Sequence, residues 1–488
     1  MHVVPVQALL IMTTAAVALL SLSGCNQQVD AKRGANAPVV LKSAKLLIEH
    51  NATDEDTGFQ GFADHDPWNE LTISAPNGAR IVTVTAEGGL RDFGLTELFF
   101  ETSEPPNAEI PIRRVLERLP KGFYEVEADV VGAGDAEANA RFTHRIPEGP
   151  ELLTPEDEAT GLDPATVVVS WEPVARTLSG SAVKVVGYQV IVEEDAEPAF
   201  PQGFYKPVMS VYLPASATSV GVPTEFMTDN ACWKYEVLAI EDSGNQTLAS
   251  AAFETGRGCN PRPEPPEVLP RLTQAKILIE HNATDADTGF QAFADGNPWN
   301  ELTITGPGGV EVAKVTPAGG LFDFGLTELF FETSEPENAV VPIPDVLAHL
   351  PAGTYTFRGV MVGGGISAMT ATLSHDIPAG PRLLTPAPGA IDVDPDHTVV
   401  SWAPVATDID GGSVTIVGYQ VIVAEDLDKP PFPDTFAQPV FSIYVPASVT
   451  QVSVPVEFMR GDTTYKFEVL AIERSGNQTL SEAEFTTR

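Results

Sequence analysis

The chain repeats itself. DFGLTELFFETSEP is spelled at Asp92–Pro105 and again, unchanged, at Asp323–Pro336. IEHNATD (from Ile48 and Ile279), VVSW (ending at Trp171 and Trp402), GYQVIV (from Gly187 and Gly418) and SGNQTL (from Ser243 and Ser475) recur in the same order. Whatever one copy folds into, the other folds into as well. The copies are joined by GRGCNPRPEPPEVLPR, whose prolines favour an extended polyproline II spacer. With 488 residues the chain has room for about three or four domains of ordinary size, so each copy is expected to divide once more.

The second half of each copy consists of short Val-, Ile-, Tyr- and Phe-rich runs parted by Gly, Pro, Asn and Asp clusters, the pattern of a β-sandwich. It resembles a fibronectin type III domain. On that resemblance Trp171 and Trp402 are the core tryptophan of the second strand and VVGYQVIVEED and IVGYQVIVAED form the third. YKFEVLAIERSGNQT forms the sixth strand and its turn, and Tyr465 is the corner tyrosine, which the first copy replaces with Trp233. The first half of each copy also reads as strand. ELTISAPNGARIVTV is two alternating runs about Pro-Asn-Gly, a hairpin signal. LPAGTYTFRGVMVGGGISAMTATLSHDIP is a second hairpin, similar to those of bacterial immunoglobulin-like modules, and one short helix is expected at IRRVLERL. We denote the halves X and F. The expected fold is all-β, a rod of four tandem sandwiches in the order X-F-X-F. Its divisions are 1–24 (signal segment), 25–41 (tether), 42–150 (X1), 151–255 (F1), 256–271 (linker), 272–381 (X2) and 382–488 (F2).

In the repeated segment Leu98 and Phe100 face one way along a strand and Phe99 the other, so both faces must be covered. One face would meet the X core; the other would lie under the short helix or against F. Packing does not account for the recurrence of Glu97, Glu101 and Glu104 as Glu328, Glu332 and Glu335, which a shared binding surface or recent exchange between copies would explain. The Asp-Phe-Gly triplet has none of the companions of a kinase site. No Gly-x-Ser-x-Gly, Cys-x-x-Cys or His-Glu-x-x-His spacing accompanies His50, His144, His281 or His375. The acidic loop HNATDEDTGFQGFADHDPWNE places Asp54 and Asp56 one residue apart, as Asp285 and Asp287 are in the second copy, and calcium is the cofactor such spacing would take. Ordinary turn chemistry is the alternative, and the Asn-Ala-Thr and Asn-Gln-Thr triplets are read that way too. Cys232 precedes the sixth strand of F1 and Cys259 follows the seventh, where antiparallel pairing would bring them within reach of a disulfide.

Ala8–Leu22 is an apolar run too short for a membrane span, and it ends in Leu-Ser-Gly-Cys. The ending resembles a bacterial lipobox, although the preceding MHVVPVQ lacks Lys and Arg. The resemblance implies lipid on Cys25, and Asn26 after it implies the outer membrane. The net charge of −39, from 67 acidic and 28 basic residues, opposes binding to nucleic acid. The expected function is a noncatalytic role in binding, adhesion or assembly in the envelope, with an envelope protein or glycan as partner. The alternatives are a carbohydrate- or peptide-active enzyme built on X and a passive spacer.

Overall fold

The computed structural model describes residues 39–195, 208–259, 270–427 and 440–488. The signal segment, Cys25, most of the tether and residues 260–269 of the linker lie outside them. The X1 strands are β1 (Val39–Val40), β2 (Ser43–Asn51), β3 (Asp56–Ser74), β4 (Arg80–Ala86), β5 (Leu95–Thr102), β6 (Gly122–Val130) and β7 (Gly134–Phe142). F1 contributes β8 (Glu151–Thr154), β9 (Ala159–Leu162), β10 (Val168–Glu172), β11 (Val185–Glu194), β12 (Val208–Pro214), β13 (Ser219–Gly221), β14 (Cys232–Glu241) and β15 (Gln246–Thr255). The second copy repeats the order. X2 has β16 (Leu272–Asn282), β17 (Asp287–Thr305), β18 (Glu311–Pro317), β19 (Leu326–Thr333), β20 (Gly353–Met361) and β21 (Ile366–Leu373). F2 has β22 (Arg382–Thr385), β23 (Ala390–Val393), β24 (Val399–Ala403), β25 (Ile416–Glu425), β26 (Val440–Pro446), β27 (Gln451–Ser453), β28 (Thr464–Glu473) and β29 (Gln478–Thr487).

Each X is a sandwich threaded by one long strand. The first part of β3 pairs with β2 and β5; after an irregularity between Asp64 and Trp68 the rest pairs with β4 and β6. The β3–β4 hairpin turns at Asn77-Gly78, where φ of Gly78 is +77°. A short helix, Ile112–Leu116, packs Val115 and Leu116 on the same core. Each F has the two sheets of a fibronectin type III-like domain, β8-β10-β13 and β9-β15-β14-β11-β12 in F1. Trp171 and Trp402 are buried in the F core. The Tyr465 hydroxyl accepts from the Arg460 amide at 2.8 Å, while Trp233 in the corresponding place donates Nε1–H to Thr255 Oγ1 at 3.2 Å. A disulfide joins Cys232 and Cys259, with Cα atoms 5.4 Å apart.

The rod expected from the sequence is not the arrangement found. The copies lie side by side about a pseudo-twofold axis, joined by three antiparallel ladders: β5–β19, β4–β18 and β12–β26. In each, a residue faces its own counterpart: Phe99 opposite Phe330, Val84 opposite Val315, Ser210 opposite Ser442. Within each copy, F joins X through short parallel ladders, β15–β2 and β29–β16. The strands thereby form a closed circuit of fourteen, β12-β11-β14-β15-β2-β3-β5 from one copy and β19-β17-β16-β29-β28-β25-β26 from the other, with β26 returning to β12. Closure leaves no free edge in the circuit. The two X cores merge into one apolar cluster and the two F cores into another.

Candidate functional site

Alternation decides what the circuit encloses. On β5, Leu98 and Phe100 enter the X core, while Glu97, Phe99 and Glu101 take the opposite face. On β14, Trp233, Tyr235 and Val237 enter the F core and leave Glu236 and Leu238 opposite. The shared inner face carries Glu49, Gln60, Phe62, Gln189, Ser210, Glu236 and Gln246 with their second-copy counterparts. The expectation that the short helix or F covers Phe99 is therefore corrected: the helix packs on the X core, and Phe99 packs with Phe330, Phe293 and Phe62.

The repeated segment is the dyad itself. Its strands pair Leu98 with Phe331 and Phe100 with Leu329. Thr96 Oγ1 donates to Thr333 O at 3.0 Å, and Thr327 Oγ1 to Thr102 O at 3.1 Å. The Ser103 amide bonds Gly325 O, and the Ser334 amide bonds Gly94 O. The Phe of each Asp-Phe-Gly crosses into the other copy. Phe93 stacks on His349 with centroids 4.5 Å apart and meets Phe290, while Phe324 meets Phe59 and lies under the Arg118 guanidinium. Gly94, at φ +83°, has Pro67 Cβ where its own Cβ would stand, 2.6 Å away, so glycine is required.

The six glutamates expected to form a binding surface face inward. The register sets Glu97 opposite Glu332 and Glu101 opposite Glu328, like charges that destabilise a ladder unless neutralised. Glu101 gathers with Glu49 and Glu104, and Glu332 with Glu280 and Glu335, each triad having one oxygen per residue within 4.8 Å of the others. Glu104 folds back over β3 where Gly58 leaves space: a Cβ there would stand 2.7 Å from Glu104 Cγ, and at Gly289 2.6 Å from Glu335 Cγ. Gln60 Nε2 donates to Glu49 Oε2 at 3.0 Å, and Gln246 reaches the same oxygen.

Desolvation dominates the electrostatics. It pushes Glu49 up to about 7 against the Gln246 and Gln60 amides, and Glu280 likewise. Burial, then Glu104 and Glu328, holds Glu101 well above the carboxylate range; burial, then Glu49 and Asp56, does so for Glu104. Glu332 is raised by burial and then Glu97, Glu335 by burial and then Glu332, and Glu328 by burial and then Asp295. Lys45 and Lys276 are drawn down to about 8 by burial and lie over Phe62 and Phe293.

The acidic-loop pairs are divided. Asp54 is exposed and accepts from Asn51 Nδ2 at 3.0 Å, while Asn51 Oδ1 receives the Thr53 and Asp54 amides; Asp285 and Asn282 do the same. Asp56 is buried, pushed up to about 7 by desolvation and then by Asp54 and Glu49, and Asp287 matches it. The histidines bond backbone: His50 Nδ1 to Asp56 O, His281 Nδ1 to Asp287 O, His144 Nε2 to Leu119 O and His375 Nε2 to Leu350 O. Sequence reasoning missed Asn245 and Asn477. Asn245 Oδ1 accepts the Ile48 amide at 2.9 Å and its Nδ2 donates to Arg145 O at 2.7 Å, clamping F to X; Asn477 repeats the contacts. Their signal was the repetition of SGNQTL itself.

No family model and no curated relative matches the chain. Among solved structures it is similar to a tetra-tandem repeat from the extending region of a large adhesion protein, at 14% identity over 91% of this chain and 100% of that one, TM-score 0.17. It is similar to the chicken CNTN1 FN1–FN3 domains at 13% over 70% and 99%, TM-score 0.20. It also resembles a bacterial ice-binding adhesin, at 13% over 71% and 99%, TM-score 0.16. Likenesses this slight leave the functional reading to the chain's own geometry.

Proposed function

We propose that the chain is a lipid-anchored protein of the bacterial envelope with a noncatalytic binding, adhesion or assembly role. One observation carries this reading: the circuit turns the buried carboxylates inward, and the four paired histidines spend a ring nitrogen on backbone carbonyls, so the outer surface presents sandwich loops and strands in two dyad-related sets. Those sets include exposed Leu153 with Leu384 and Leu178 with Ile409, at matching positions on the F modules. A partner with repeated epitopes would meet both at once, which favours polymeric envelope material. Among the described residues no helix is long and apolar enough to cross a membrane, and lipid on Cys25 would supply the anchor. Two measurements test the reading. Cys25→Ala should move the protein out of the detergent phase; unchanged partitioning refutes the anchor. The wild-type protein should be retained by envelope fractions or by glycan or peptide arrays without turnover. Turnover would make it an enzyme, and neither retention nor turnover would leave a spacer.

A further inference from the structure

A triad of buried carboxylates needs a neutralising partner, and the strongest neighbours acting on Glu101 and Glu104 are further carboxylates. Lys45 and Lys276 sit over phenylalanine rings; Lys45 interacts with Asp64, and Lys276 with Asp295 and Glu328, none of them a member of either triad. Protons or a cation remain.

The geometry favours a cation. Glu101, 1% exposed, leaves Oε1 without a hydrogen-bond partner while its Oε2 takes Gln60 Nε2 at 3.5 Å, and Asp56, 6% exposed on the neighbouring strand β3, leaves Oδ1 open in the same way. In the second copy Glu332 Oε2 and Asp287 Oδ1 are the open atoms. Glu332 and Glu335 hydrogen-bond each other, so a shared proton is the competing arrangement in that triad; it still leaves Glu101 Oε1, Asp56 Oδ1 and Asp287 Oδ1 without a donor, and a metal would use those oxygens directly. The separations also fit. Oxygens on a calcium ion at about 2.4 Å stand no more than about 4.8 Å apart, and each triad lies within 4.8 Å. Gly58 and Gly289 keep the space into which Glu104 and Glu335 fold. The Gln60 and Gln246 amides can present oxygen on a simple flip. Glu104 and Glu335, partly exposed, open each site to solvent.

We propose that Glu49, Glu101 and Glu104 with Asp56, and Glu280, Glu332 and Glu335 with Asp287, form two divalent-cation sites that take calcium. They lie inside the circuit on either side of the Phe99–Phe330 contact, and they are distinct from the exposed Asp54 and Asp285. All the donors are oxygen, and they are set on three strands and the segments after β5 and β19. Calcium tolerates that geometry, whereas magnesium demands a smaller, near-octahedral shell.

The test uses the full chain stripped with chelator and titrated calorimetrically with calcium chloride at matched ionic strength. The expected result is two ions per chain and a melting temperature that rises to saturation. Glu101→Gln with Glu332→Gln should abolish both. Should that variant fail to fold, Glu104→Gln with Glu335→Gln, at partly exposed positions, should weaken binding at least about tenfold. Asp54→Asn with Asp285→Asn should bind like wild type. Absence of saturable calcium binding by the wild-type chain overturns the proposal, as does binding lost with Asp54 and Asp285 but kept without Glu104 and Glu335. Magnesium binding as tight as calcium binding would overturn the calcium assignment.

Discussion

The contact between Phe99 and Phe330 tests the dyad most directly. They are 6% and 4% exposed and share a cluster with Phe293 and Phe62. Replacing either with Leu keeps the site apolar but removes part of a packed ring, at a cost of about 1–2 kcal/mol. The two single variants should cost nearly the same, because each ring has the other copy's equivalent surroundings. The double variant carries the information. Residues directly opposite on neighbouring strands, as Phe99 and Phe330 are, couple by about 0.2–1 kcal/mol. The double-mutant cycle should therefore close short of additivity by up to about 1 kcal/mol, with a single unfolding transition in chemical denaturation and calorimetry. Independent sites add to within about 0.3–0.5 kcal/mol. Strict additivity, or separate transitions for the two copies, would refute the side-by-side arrangement and restore the rod.

Three further outcomes are expected. A chain of residues 42–255 alone should form a homodimer with a concentration-dependent melting temperature, since all three dyad ladders pair like with like; a folded monomer at high concentration would contradict this. Asn245→Ala leaves the buried Ile48 amide without a partner and removes the donor to Arg145 O, and should cost about 1–3 kcal/mol, read by denaturation, with faster exchange of the Ile48 amide. Glu241, fully buried beside Ser243, is pushed up to about 7 by desolvation. The folded state then holds its proton more tightly than the unfolded chain. The contribution is present below the unfolded value near 4.5 and falls as pH rises through 7, by at most about 3 kcal/mol. Glu241→Gln should flatten that part of the stability-against-pH curve, and an unchanged slope would show that Glu241 does not titrate there.

Much of the local structure was written in alternation and turn chemistry. Gly78 in its hairpin and the helix at Ile112–Leu116 follow from short-range patterns, and Trp171 in the F core and the Tyr465 corner followed from the family resemblance. The sequence also showed that Phe99 turns away from Leu98 and Phe100, because a strand has only two faces. What covered that second face was not legible, since a β-ladder between residues as far apart as Phe99 and Phe330 leaves no periodic trace in either segment. The glutamates were misplaced for the same reason. Read alone, Glu97 and Glu101 are acidic positions on an amphipathic strand and belong in water; only the copy across the dyad turns that face into an interior. The acidic loop misled in a smaller way, because Asn51 draws Asp54 into its turn and leaves Asp56 as the buried member of the pair.

The three ladders would serve equally well between separate molecules, but such a dimer would dissolve on dilution and exchange halves with every related chain nearby. Carrying both halves on one polypeptide makes the association intramolecular, so it persists when only a few copies are present. It also releases the halves from having to be identical. The first copy alone carries the Cys232–Cys259 bridge and a tryptophan where the second keeps Tyr465. A symmetric pair of chains would have to accept each such change twice. Here each change is met once, while the segment Asp92–Pro105, whose strand pairs with its own copy across the dyad, keeps one spelling in both halves.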